Sequence, residues 1–292
     1  MRTPISIITG YLGAGKTTLI KNILANADRK IAIIMNEFGE INIDSKIIKG
    51  KNINIAELSG GCVCCSLTGE FELAAKELIK KYKPDIIIVE TTGLAEPDAL
   101  IFDIENELPE LKLDSIISIV DSDNFFKYPI GKTGKIQIEM ADIILLNKVD
   151  VAQKKEIDKL ENEIRRINNR ANIVETKFAR ISNDVLFGIY SKQEIKKEFE
   201  HDHLNKIGFF SFESEKSFDK KKFERLLKAL PREIYRLKGF VNLDNNYYLV
   251  NYVAQKYSLD KFKADKTQLV FIGENIRKFK EKILNSIDLI NN

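Results

Sequence analysis

The chain has 292 residues, 44% hydrophobic and 30% charged, enough apolar material for one large domain and a smaller one, which excludes a mainly disordered protein. Forty-six Lys and Arg against 43 Asp and Glu leave +3, too small a balance to argue for a nucleic acid or membrane partner. No apolar run approaches the roughly 18 residues of a bilayer span, and the opening MRTPISIITGYLGAGK leaves no room for a signal peptide, so the cytoplasm is the expected compartment.

The first half alternates short apolar runs with amphipathic stretches, the pattern of β-α units on a parallel sheet. Strands are predicted at Ile5–Ile8, Ile31–Met35, Ile86–Val89, Ile116–Val120 and Ile143–Leu146, each β-branched and nearly continuous in apolar character, as a strand covered on both faces should be. Helices are predicted at Lys16–Asn26, Glu70–Lys81, Pro97–Glu107 and Gln153–Ile167. The expected fold is a doubly wound, mostly parallel α/β sheet with helices on both faces, over residues 1–190. The polar, charge-dense SKQEIKKEFEHDHLNK marks a linker at 191–206. Beyond it, strands at Gly208–Phe212, Arg236–Val241, Tyr247–Val253 and Leu269–Ile272, with helices at Asp219–Leu230 and Glu274–Ser286, predict a smaller α+β domain over 207–292.

Gly10-Tyr-Leu-Gly13-Ala14-Gly15-Lys16-Thr17 fits the Walker A pattern between a strand and a helix. Its glycines let backbone N–H groups converge on the β- and γ-phosphates, and the helix N-terminus of Lys16, Thr17 and Thr18 adds its positive dipole end. Lys16 is expected to neutralise phosphate charge and the Thr17 hydroxyl to ligate Mg2+. Asn147-Lys148-Val149-Asp150, directly after an apolar strand, is the guanine-recognition pattern. Asp150 can accept hydrogen bonds from guanine N1–H and the 2-amino group, neither of which adenine offers. Charged hydrogen bonds contribute about 1.5–3 kcal/mol each, so the preference is roughly a hundredfold or more. Asn147 is expected to orient the loop and contact the purine, and the Lys148 stem to cover the ring face. Glu90-Thr91-Thr92-Gly93 closes the Ile86–Val89 strand. Glu90 there can hold Mg2+ through water or polarise the attacking water, making it with Lys16 the candidate catalytic pair, and Gly93 N–H is placed to sense a γ-phosphate.

All three cysteines of the chain lie together, at Cys62, Cys64 and Cys65. An odd, clustered set in a cytosolic protein points to metal or redox chemistry rather than a disulfide framework. Positions i and i+2 of an extended segment point the same way. Three thiolates, or two with Glu37 or Glu40, suit Zn2+; Co2+, Ni2+ and Cu(I) fit the same softness.

Together GYLGAGKTT, NEFGE, GGCVCC, ETTGLAEP and NKVD, with INNRANIVE and LPREIYRLKGFV further on, resemble the CobW-like family of metal-handling P-loop GTPases. The resemblance implies GTP and Mg2+ as ligands, a metal site at the three cysteines, and GTP-dependent delivery of Zn2+ or another transition metal to a metalloprotein client through the C-terminal domain. The histidine-rich run of many relatives shrinks here to His201 and His203, which argues against a metal store. Other readings are a GTPase assembly factor in cobalt or cobalamin metabolism, a redox switch built on the cysteines, and a small-molecule kinase. Lys220, Lys221, Lys222, Arg225, Lys228, Arg232, Arg236 and Lys238 form a basic stretch, expected mostly to be a solvated helix face and its flanks. The aromatic residues of this half sit at strand spacing without an RNA-binding motif, as core residues do.

Overall fold

The structure is a computed structural model that describes residues 2–35, 53–57, 68–93, 97–128, 130–188 and 207–290. Residues 2–183 belong to one compact unit and 184–290 to a second. The expected linker at 191–206 lies outside the described residues. Among the described residues no helix is long and apolar enough to cross a membrane.

The first unit is built on a seven-stranded sheet in the order β3-β2-β4-β1-β5-β6-β7, every pairing parallel. Its strands are β1 (Thr3–Gly10), β2 (Ile31–Met35), β3 (Ile53–Glu57), β4 (Ile86–Glu90), β5 (Leu111–Asp121), β6 (Ile143–Asn147) and β7 (Asn172–Thr176). The helices are α1 (Lys16–Ala25), α2 (Thr68–Tyr82), α3 (Asp98–Asn106), α4 (Gly131–Glu139) and α5 (Lys154–Ile167), with a short α6 (Asn183–Phe187) at the boundary of the two units. The Ile-rich strands are buried on both faces, which explains their unbroken apolar runs. Ile5 and Ile7 of β1 share one core with Phe71, Ala75 and Leu78 of α2 and Leu100 and Ile104 of α3.

Chain direction sets where a ligand can enter. From β1 the chain passes through α1 to β2, toward one edge, whereas from β4 it passes through α3 to β5, toward the other. With right-handed crossovers, α1 and α3 then cover opposite faces. The neighbouring carboxyl ends of β1 and β4 are left with a crevice between them, the place where open α/β sheets bind ligands.

The second unit holds a five-stranded antiparallel sheet in the order β11-β10-β9-β12-β8. These strands are β8 (Ile207–Ser214), β9 (Ile234–Leu243), β10 (Asn246–Val253), β11 (Lys256–Lys261) and β12 (Thr267–Glu274). Helix α7 (Lys220–Lys228), capped by the Asp219 carboxylate accepting from Lys222 N–H at 2.7 Å, and helix α8 (Arg277–Asp288) pack on the sheet. Phe223, Leu227, Ile283 and Ile287 of these helices share a core with Phe210, Leu237, Val250, Tyr252 and Phe271 of the strands. Helix α8 begins later than the expected Glu274, because Glu274 still pairs with Ile207 across the sheet.

Arg236 and Lys238 do not belong to a solvated face. Arg236 is fully buried; its guanidinium donates to Leu186 O at 2.7 Å and Asn251 Oδ1 at 3.2 Å. Lys238 Nζ donates to Phe187 O at 3.2 Å. Strand alternation carries both side chains to one face of β9, where they cap the carbonyl end of α6, whose last-turn oxygens lack helical partners. Lys221, Lys222, Arg225, Lys228 and Arg232 are exposed, as expected.

Candidate nucleotide site

At the carboxyl end of β1 the chain turns through Gly10, Gly13 and Gly15, all at positive φ (141°, 77° and 117°), before α1 begins. A side chain at Gly15 would place Cβ 2.5 Å from Asn147 Nδ2, so the loop and the end of β6 are packed as closely as glycine allows. Asn147 holds the site together from β6. Its Nδ2 donates to Ala14 O at 2.8 Å, while its Oδ1 accepts from Ala179 N–H at 2.8 Å and Thr176 Oγ1 at 3.2 Å. The phosphate loop, the guanine-motif strand and the turn after β7 thus meet at one buried amide.

A cleft of about 460 Å3 opens beside this loop, lined by Leu12, Gly13, Gly15, Lys16, Thr17 and Thr18 from one side and Met35 and Glu90–Gly93 from the other. Lys16 is only 8% exposed; its Nζ donates to Gly10 O at 2.8 Å and to Tyr11 O at 3.3 Å. Thr17 and Glu90 put a hydroxyl and a carboxylate on the same cleft. Gly93 packs so tightly that a Cβ there would sit 2.8 Å from Leu12 N, and its carbonyl accepts from Gln137 Nε2 of α4 at 3.2 Å.

The Asn147–Asp150 motif and its partners lie at the ends of β5, β6 and β7. Lys148 has a left-handed backbone (φ 65°), and its Nζ donates to Asp121 Oδ2, the last residue of β5, at 2.7 Å. Burial pushes the Asp121 carboxyl up, but hydrogen bonds from Lys148 and Asn124 outweigh it and hold the group below the usual aspartate range. Asp150 is exposed in the turn after β6. The turn after β7 escapes sequence reading altogether: Phe178 and Ala179 both have positive φ, and Asn22 of α1 donates to their carbonyls at 2.8 and 3.0 Å. Phe178 is 62% exposed, with the Arg180 guanidinium 5.9 Å from its ring centre. Two further signals pass unread, namely Asp121 and Gln137, whose partners lie far away in the sequence.

Glu37, Glu40, Cys62, Cys64 and Cys65 lie outside the described residues, as do His201 and His203. Among the described residues no group of three His, Cys, Asp or Glu is arranged to hold a metal ion.

Residues 4–175 match the family described as CobW/HypB/UreG, nucleotide-binding domain, and residues 207–288 the Cobalamin synthesis protein cobW C-terminal domain. Zinc chaperone YjiA of Escherichia coli (strain K12) is 32% identical over 283 residues, covering 88% of this chain and 87% of that one. Zinc chaperone CobW of Sinorhizobium sp is 31% identical, covering 83% of this chain and 82% of its own. The crystal structure of Zn(II)-bound YjiA GTPase from E. coli matches over 100% of both chains at 25% identity, with a TM-score of 0.51.

Proposed function

The chain belongs to the CobW/HypB/UreG family of P-loop GTPases, and on that footing we propose that it uses GTP to control the binding and delivery of Zn2+. The observation that carries this reading is the meeting of the Walker A loop and the Glu90–Gly93 segment across one cleft, with Met35 at its side. Met35 and Glu57, the last residues of β2 and β3, are register partners. Both strands therefore end on the side of the sheet where the cleft opens, and coupling between the phosphate and the metal is part of the proposal.

In this reading Lys16 exchanges its two carbonyl acceptors for phosphate oxygens, and the loop amides take up the remaining charge. Thr17 and Glu90 offer the hard oxygen donors that Mg2+ prefers, and so fit that ion. Held by these residues, the ion would supply positive charge to the phosphate groups. Glu90 orients the attacking water. Gly93 N–H responds to the γ-phosphate, and because Leu12 and Gln137 grip this glycine from two sides, its displacement is felt by both the phosphate loop and α4. Asn147, Lys148 and Asp150 take the guanine base.

The proposed cargo site is Cys62, Cys64 and Cys65, with Glu37 or Glu40 completing the four ligands zinc favours. Relatives named as zinc chaperones support Zn2+ over Co2+ or Ni2+ as the ion carried. The name of the C-terminal family keeps cobalamin synthesis as the second reading; a preference for Co2+ over Zn2+ in competition would favour it. The second unit is the proposed docking element for a metalloprotein client. Uncapped thiolates need a reducing compartment, so the proposed location is the cytoplasm.

The test is a Zn2+ titration with GDP and with a non-hydrolysable GTP analogue, under anaerobic conditions. Coupled sites predict a Zn2+ affinity at least about fivefold higher with the GTP analogue, and by linkage the same factor in GTP affinity when Zn2+ is bound. Equal affinities remove the control mechanism and leave only a GTPase that binds metal.

A further inference from the structure

Asp121 has more contacts than the nucleotide reading requires. It ends β5, is the register partner of Asn147, and is followed by Ser122, whose N–H donates to Asn147 O at 2.9 Å. Its Oδ1 accepts from the N–H groups of Asp123 and Asn124 at 3.1 and 3.2 Å, and its Oδ2 from Asn124 Nδ2 at 2.9 Å and Lys148 Nζ at 2.7 Å. The carboxylate side chain is 12% exposed against 36% for Lys148. This anion is built into the end of the strand, with both oxygens engaged.

Lys148, by contrast, is a long flexible side chain on a left-handed backbone that L residues rarely adopt. The strand-end hydrogen bond fixes its backbone neighbour, and the Asp121 carboxylate fixes its ammonium head. We propose that Asp121 is a positioning residue for the base site: it anchors Lys148 so that the four-carbon stem forms a wall against which the purine ring lies. The stem is then ordered before the nucleotide arrives, so binding no longer has to immobilise it. The interaction lies on the base side of the site, so it favours GTP and GDP equally and does not distinguish the γ-phosphate. This inference rests on reading Asn147 to Asp150 as the guanine site.

The experiment is a double-mutant cycle in nucleotide affinity. GTP and GDP are titrated into the wild type, Asp121→Asn, Lys148→Met and the double variant, with thermal melts of the ligand-free proteins alongside. The expected result is a loss of about tenfold for each single variant, the size of one charge-assisted hydrogen bond, equal for GTP and GDP, and no further loss in the double variant. A Lys148→Met variant that loses affinity beside an Asp121→Asn variant that does not would overturn the positioning role and leave the guanine site standing. Unchanged affinity in Lys148→Met would instead overturn the guanine reading and this inference with it. Additive losses would show that Asp121 acts through the fold and not through Lys148, which also overturns it. Asp121→Ser, whose hydroxyl can still cap the 121–124 turn, replaces Asp121→Asn in the same cycle if the amide variant does not fold.

Discussion

Lys16 and Lys238 are both buried lysines whose ammonium groups donate to main-chain carbonyls, yet their surroundings differ. Lys238, with Arg236 beside it, lies in the face of an antiparallel sheet and meets the carbonyl end of a helix. Lys16 lies at the carboxyl end of a parallel strand and opens onto a cleft of about 460 Å3. A buried charge is therefore weak evidence of chemistry by itself. What separates the two is whether the cation has room to exchange its partners, and the parallel sheet provides that room where its connections diverge.

Substitutions separate the two lysines. The largest effect is expected for Lys16→Ala and Asp150→Ala, which should each lower GTP affinity by about a hundredfold or more, from lost charged hydrogen bonds in a desolvated site. Calorimetric titration measures this, and unchanged binding in either variant refutes its place in the site. Next is Arg236→Ala, which should leave GTP binding untouched but destabilise the second unit by about 2–4 kcal/mol, since it strands Leu186 O and Asn251 Oδ1 and opens a cavity. Denaturant unfolding measures that loss; a drop in GTP affinity with normal stability would refute the structural assignment. The smallest effect concerns pH. Asp121 has a depressed folded pKa, so its ion pair with Lys148 contributes fully above the unfolded value near 3.9 and fades as pH falls through the lower folded value. Wild type should therefore melt above Asp121→Asn at pH 6, and the gap should close as the pH is taken below about 4. A gap that widens on acidification contradicts the sign.

Much of the first unit was legible because parallel strands buried on both faces write themselves as isoleucine runs. The P-loop was legible because its function demands glycines at fixed spacing in a strand-turn-helix context. Strands β3 (INIAE) and β7 (NIVET) went unread because each mixes apolar and polar residues over only five positions. Helix α4 was missed because GKTGKIQIE carries two glycines, so its helicity owes more to Ile138 packing on the sheet than to local propensity. The partnerships of Asn147 with Ala14, 133 positions away, and of Lys148 with Asp121, 27 away, follow no spacing rule. They exist because β1, β5 and β6 are consecutive in the sheet and end on the same side of it, a property of sheet order that local sequence does not encode.

The central place of β1 bears on how the protein is made. Ile5 pairs with Ile87 on one side and Ser6 with Ser115 on the other. At about 5–20 residues per second, the first strand emerges roughly 4–20 s before its neighbours have been synthesised. During that interval Ile5, Ile7 and Ile8 have no sheet to enter and present an apolar segment to chaperones or to other nascent chains. The phosphate loop waits longer still, since its contact with Asn147 forms only after β6 is translated. A ribosome-bound chain stopped before Asn147 is therefore expected to capture GTP less well than one that includes it.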